Sequence, residues 1–231
     1  MAHSKNSFRR FLLGILFLPL AGTVAFNVDP LGAQVHGGDT GEISARAAER
    51  IGSRSPQFEA MAQGQAPGRL FITCSDSRLI PAAITWTGVG ELFVIRNAGN
   101  IVPPYDTDAE GVTATVEYAV AVLEVPTIVV CGHTQCGAMK AALDPTGLDT
   151  VPNVRNWIKF VEPARLVVDE LHPRLASDAR WLALVEQNVL QQLTNLKTHP
   201  WVAARAASGR LRLEGWVYDL NTRKTRILPF P

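Results

Sequence analysis

The chain has 231 residues, 47% hydrophobic and 19% charged, enough to bury a sizeable core without covalent staples. Its 22 basic and 21 acidic side chains balance to +1, which excludes a nucleic-acid coat, and 18 Gly with 15 Pro excludes collagen-like or low-complexity sequence. Three cysteines are too few for a disulfide scaffold and odd in number, so their use has to be explained.

In chain order, Lys5, Arg9 and Arg10 precede an uncharged stretch from Phe11 to Val28, densest over Phe11–Leu20. A basic start, a short apolar run and small residues after it form the layout of an export signal. Thr23-Val24-Ala25 and Leu31-Gly32-Ala33 offer cleavage points, and Arg9-Arg10-Phe11-Leu12-Leu13 loosely matches a twin-arginine signal. A retained membrane anchor is the alternative, weakened by Gly14, Pro19 and Gly22. Residues 1–33 are thus read as the signal and 34–231 as one domain. Without the signal the domain carries 19 basic and 20 acidic groups.

The segment Gly41–Gln63 has a helical apolar stripe (Ile43, Ala47, Ile51, then Phe58 and Met61) and reads as an N-terminal helical arm. Leu70–Thr73, Leu92–Ile95 and Thr127–Cys131 are short apolar runs of strand length, the last rich in β-branched residues. Val112, Val116, Ala119, Val120 and Leu123 repeat at helical spacing between the second and third. Asp178 is placed to cap a helix with the stripe Trp181, Val185, Val189, Leu193 and Leu196, stopped before Pro200. Arg212–Leu228 alternates like a hairpin around Asn221-Thr222. The pattern predicts an α/β fold: a central, mostly parallel sheet flanked by helices, closed by a C-terminal β-hairpin.

The thiols fall where such a sheet gathers functional groups, beyond the carboxyl ends of its strands. Cys74 follows the first strand and opens Cys74-Ser75-Asp76-Ser77-Arg78; Gly132-His133-Thr134-Gln135-Cys136-Gly137 follows the third. Two thiolates and an imidazole on two such loops suit zinc and leave a fourth position open. A cysteine inside an apolar run is ordinarily a small buried hydrophobe, and Cys131 is read so. A Cys131–Cys136 disulfide is the alternative in an oxidising compartment.

Cys-x-Asp-x-Arg followed by His-x-x-Cys resembles the signature of the β-class carbonic anhydrases. Further segments are similar to that family in order and spacing: Gly64–Pro67, Phe93–Asn100, Pro103–Asp106, Glu117–Val120, Val189–Gln191, Thr198–Trp201 and Gly215–Asp219. The resemblance covers roughly residues 45–230. It implies one Zn²⁺ per subunit held by Cys74, His133 and Cys136, and hydration of CO2 to bicarbonate and a proton by zinc-bound hydroxide. Asp76 would accept a hydrogen bond from the hydroxide, and Arg78 would hold that carboxylate. Family members with an aspartate-blocked zinc carry a Trp three residues before the first Cys; this chain has Phe71 there, although Arg96 of the associated bicarbonate site is present. Gln65, nine residues before Cys74, resembles instead the plant-type, open-site members. The substrate pocket of that group falls on Gln65, Phe93, Ala98, Tyr118 and Gly137.

The resemblance further implies a dimer or larger homo-oligomer, with residues 41–63 as a dimer arm. The segment Leu79–Gly90 departs from the family's usual text and is assigned to the pocket wall or subunit contact. His36, His172 and His199 are the available proton carriers. Two other functions use the same motifs: hydrolysis of a CO2 isostere (COS or CS2), and a non-catalytic zinc or CO2-sensing role. The export signal places the domain in the periplasm or another extracytoplasmic space, with no nucleic-acid partner and no membrane insertion once cleaved.

Overall fold

The structure is a computed structural model that describes residue 59 and residues 61–107 and 110–230. The export signal, His36 and almost all of the helical arm lie outside the described residues. Five strands form one sheet: β1 (Arg69–Cys74), β2 (Leu92–Asn97), β3 (Thr127–His133), β4 (Arg212–Tyr218) and β5 (Thr225–Leu228), in the order β2-β1-β3-β4-β5. The first four run parallel, and β5 returns antiparallel to β4. All three apolar runs are strands, and the alternating tail is a hairpin. Its turn is organised by Asp219, whose Oδ1 accepts the N–H groups of Asn221 and Thr222 at 2.7 and 3.1 Å.

The chain passes from β1 outward to β2, then back across β1 to β3 on its other side. The strand order therefore reverses between β1 and β3, and the crevice at their carboxyl ends is where an open α/β sheet binds ligands. Register places Leu70 beside Ile128 and Thr73 beside Cys131, so the two strands end side by side. Every residue of β3 is buried, as expected for a central parallel strand covered on both faces.

Helices flank the sheet: α1 (Pro81–Thr85), α2 (Glu110–Glu117), α3 (Gly137–Leu143), α4 (Pro152–Ile158), α5 (Glu162–Leu171), α6 (Ser177–Leu196) and α7 (Pro200–Ala207). The stripe read from Val112 to Leu123 begins as α2 and ends in a wider π turn over Tyr118–Val122, where the Leu123 N–H donates to the Tyr118 carbonyl. The long helix is α6, but Asp178 lies within its first turn and makes no capping bond; Ala176 stands at the N-cap. An acid there still complements the helix dipole. Leu184, Val185, Val189, Leu193 and Leu196 are buried along α6, each stabilising the fold by roughly 1.5–3 kcal/mol. Gly132 on β3 and Gly215 on β4 leave room for Val189 between them. In the divergent segment after Arg78, Trp86 ends α1 in the left-handed region (φ 54°) and is 95% exposed.

Candidate metal centre

Cys74 is the last residue of β1 and His133 the last of β3, while Cys136 precedes α3. All three are buried, and their ligand atoms lie within 4.8 Å of one another, one such group among the described residues. The sulfurs of Cys74 and Cys136 are 4.0 Å apart, far beyond a disulfide bond. Two sulfurs bound about 2.3 Å from one tetrahedral ion would stand roughly 3.8 Å apart. All three cysteines are free thiols, so the Cys131–Cys136 disulfide is not formed. Cys131 is fully buried, and burial pushes its thiol up to about 12.

The histidine is already set for a metal. Its Nδ1 lies 2.9 Å from the Thr134 carbonyl, which can only accept, so Nδ1 carries the proton. Nε2 is left with a bare lone pair, buried and without a hydrogen-bond partner among the described residues. That lone pair faces two sulfurs and, at 3.9 Å, the Oδ2 of Asp76. An unpaired buried acceptor costs about 1–3 kcal/mol. A cation satisfies the whole set at once, and soft thiolates with imidazole fit Zn²⁺. Between the thiols, the Cys136 contact pulls Cys74 below the ordinary thiol range against the opposing effect of burial, helped by the neighbouring His133 ring and then by the N–H groups of Gly99 and Asp76. The same contact, together with burial, pushes Cys136 up.

Beside the cluster, Arg78 grips the Asp76 carboxylate with both arms: Nε to Oδ1 at 2.9 Å and Nη2 to Oδ2 at 2.7 Å. The Arg78 backbone N–H adds a third bond to Oδ1 at 3.0 Å. The guanidinium holds Asp76 at about 2, well below the usual carboxylate range. Arg78 is itself steadied by the side-chain and backbone oxygens of Gln135, at 3.2 and 3.4 Å. Arg96 donates to the carbonyls of Cys74 (3.2 Å) and Asp76 (2.8 Å), stitching the Cys74–Asp76 loop to β2. That bracing use of Arg96, and the role of Gln135, were missed in the sequence because neither partner is a neighbour in the chain.

Of the other pocket residues, Ala98 and Gly137 lie at the centre. Ala98 adjoins Gly99, whose N–H reaches the Cys74 sulfur at 3.4 Å, and Gly137 adjoins Cys136. Gln65, Phe93 and Tyr118 are elsewhere in this chain. Phe93 pairs with Leu70, four residues before Cys74 and so about 13 Å down the sheet. Tyr118 packs on Phe93 with ring centroids 5.9 Å apart. Gln65 lines a cavity of about 570 Å³ with Arg69 and Glu91 at that same far end. A separate cavity of about 530 Å³ opens beside the site, lined by Arg78, Thr134, Gln135, Asp178, Trp181 and Leu182. Among the histidines, His199 is buried and donates from Nε2 to the Pro103 carbonyl at 3.0 Å, and His172 is exposed.

Fold and site together define an α/β protein with a Cys-His-Cys cluster able to hold a metal ion and an ionised carboxylate beside it at the switch point of its sheet. A family model for carbonic anhydrase matches residues 69–225. The chain is 52% identical to a carbonic anhydrase of Pseudomonas aeruginosa over 170 residues, covering 74% of this chain and 77% of that protein. It is 47% identical to carbonic anhydrase 1 of Escherichia coli O157:H7 over 174 residues, covering 75% and 79%. Among solved structures, the β-carbonic anhydrase CcaA superposes with a TM-score of 0.78 at 39% identity, covering 82% of this chain and 92% of that one. A tetrameric β-carbonic anhydrase of Sordaria macrospora superposes at 0.70 and 31% identity, covering 81% and 93%. The chain belongs to the β-class of carbonic anhydrases.

Proposed function

We infer that the chain is a zinc-dependent carbonic anhydrase that interconverts CO2 and bicarbonate, with Cys74, His133 and Cys136 as the metal ligands. The observation that carries this reading is the buried, unpartnered Nε2 of His133 facing both sulfurs beside an Arg-held carboxylate. When bound, Zn²⁺ supplies Lewis acidity that brings the pKa of water from about 15.7 toward about 7. Thr134 fixes the His133 tautomer so that the Nε2 lone pair would be free to hold the metal. Asp76, ionised throughout the neutral range, accepts the O–H of the reacting water and turns its lone pair toward the carbon of CO2. Arg78 keeps that carboxylate charged and prevents it from swinging onto the cluster. Both Asp76 oxygens are engaged by Arg78, which supports the open-site, plant-type reading.

Gln65, Phe93 and Tyr118 are proposed to serve the pocket from a second subunit, since in one chain they stand at the other end of the sheet. Their surroundings favour self-association: Trp86, Val89, Val94, Tyr118 and Val122 are all exposed. A dimer-based homo-oligomer follows. Export of residues 34–231 after loss of the signal is the proposed localisation; among the described residues no helix is long and apolar enough to cross a membrane. Metal loading before export would shield Cys74 and Cys136 from oxidation.

The test is stopped-flow CO2 hydration by zinc-loaded protein, alongside Cys74→Ser and Asp76→Asn, with sulfide release from COS and CS2 measured in parallel. Rapid hydration lost in both variants is expected. Fully zinc-loaded protein with no rate above buffer would overturn the assignment, and sulfide release alone would replace it with the isostere hydrolase.

A further inference from the structure

Asn188 is 1% exposed in the middle of α6, a position where an amide destabilises the fold unless it is fully bonded. It belongs to a line of buried amides whose orientation the backbone dictates. The Val102 N–H can only donate, so the atom 2.9 Å from it must be the Oε1 of Gln192. Gln192 therefore turns Nε2 toward Asn188 and donates to its Oδ1 at 2.8 Å. That leaves Asn188 Nδ2 to donate to the Gly99 carbonyl at 3.1 Å. At the other end of the line, Asn195 Nδ2 donates to the Val102 carbonyl at 2.8 Å. Helix α6 thus holds the loop leaving β2 at Gly99 and at Val102, by partners about ninety residues away in sequence.

Gly99 is where this line meets the metal centre. Its N–H points at the Cys74 sulfur, 3.4 Å away. Its backbone is left-handed (φ +86°), and a Cβ there would stand 2.9 Å from Met139 Cε and 3.0 Å from Ala138 Cβ. The residue is therefore pressed against α3, whose chain begins just after Cys136, and cannot back away on that side. Two groups hold it from the remaining sides: Trp157 Nε1 donates at 2.9 Å to the Ala98 carbonyl, in the same peptide as the Gly99 N–H, and the Asn188 amide holds the Gly99 carbonyl of the next peptide.

We propose that Asn188 is a positioning residue for the metal centre, holding the Gly99 N–H on the Cys74 sulfur and so setting the donor strength of that ligand. An N–H on a thiolate stabilises the sulfur lone pairs; without it they rise in energy and bind the metal in a less fixed geometry. The inference rests on Cys74 being a metal ligand. Groups bonded directly to a metal ligand are worth about 10–100-fold in metal affinity, and Asn188, which acts one bond further out through Gly99, is expected at the lower end of that range.

The experiment compares Asn188→Ala and Asn195→Ala with the wild-type full chain. Zinc affinity is measured by chelator competition, and the thiolate-to-metal charge-transfer band is recorded after cobalt substitution. Asn195→Ala cuts the same amide line at its far end and serves as the match for lost stability. We expect Asn188→Ala to weaken zinc binding about tenfold and to move the cobalt band to longer wavelength, with Asn195→Ala leaving both at wild-type values. Wild-type affinity and band position in Asn188→Ala would overturn the proposal, as would equal changes in the two variants, which would indicate general loosening. Should Asn188→Ala not fold, Asn188→Ser, whose hydroxyl is too short to reach Gly99, is read the same way. If wild-type protein takes up neither zinc nor cobalt, the ligand assignment of Cys74 fails and this inference with it.

Discussion

Gly132 immediately precedes His133 on β3, and α6 crosses directly over it. A methyl group at that position would stand 2.8 Å from Val189 Cγ2 and 3.2 Å from Val185 Cγ1. Carbon atoms rest at about 3.5–4.0 Å, so Gly132→Ala requires helix and strand to part by up to roughly 1 Å. Neither valine can swing aside, because a β-branched side chain in a helix has one strongly preferred rotamer. Overpacking of this kind costs about 1–3 kcal/mol. The displacement falls beside His133, a proposed metal ligand, so zinc affinity should drop along with stability. Val189→Ala alone should cost about 2–3 kcal/mol, from two buried methyl groups at about 0.8 kcal/mol each plus the space they leave. In the double variant the new methyl occupies part of that space. The combined loss should therefore fall short of the sum by about 1 kcal/mol or more, as expected for residues in contact. The assay is guanidinium unfolding of the four proteins at one protein and one free-zinc concentration. Additivity within about 0.5 kcal/mol would refute the idea that Gly132 is a glycine because of Val189.

Three further outcomes are expected. Arg78→Lys replaces a two-armed grip on Asp76 with a point charge, and kcat/KM for CO2 hydration should fall about 10–100-fold at unchanged zinc content; an unchanged rate would show that the grip on Asp76 is dispensable. Burial raises the Cys131 thiol from about 9 unfolded to about 12 folded, so above about pH 9 the unfolded chain releases a proton that the folded chain retains. Stability should therefore fall as pH rises from about 9 toward about 12, and more steeply in wild type than in Cys131→Ala; parallel curves would argue against a buried neutral thiol. Removing zinc with a chelator strands the His133 Nε2 and should reversibly lower stability, and Tm with it, by RT ln(1 + [L]/Kd), about 4.1 kcal/mol at a thousandfold excess over Kd; an identical Tm for apo and reloaded protein would exclude a buried metal site.

The strands and the Cys-x-Asp-x-Arg and His-x-x-Cys motifs were readable in the chain because both are local. Leu70–Thr73 and Thr127–Cys131 announce buried strands by composition, and Cys74, Asp76 and Arg78 lie within five residues of each other. A strand end followed by such residues already indicates a ligand-binding loop. The α6 stripe was read for the same reason, from side chains that recur at helical spacing.

Tertiary structure decided everything that depends on partners distant in sequence. Asn188, Gln192 and Asn195 have the hydropathy of a solvated face, yet they are buried, because their partners are backbone groups of a loop that only the packed fold brings near. Arg96 stands where the aspartate-blocked members of the family have part of a bicarbonate site, and in this chain its donors go to the carbonyls of Cys74 and Asp76. Gln65 and Phe93 precede Cys74 or follow it at suggestive spacing, but a parallel strand carries the chain about 3.3 Å per residue, which sets them at the opposite end of the sheet. Spacing in sequence fixes which groups share a strand or a turn; which ends of which strands meet is fixed only by the strand order and by the helix that locks it.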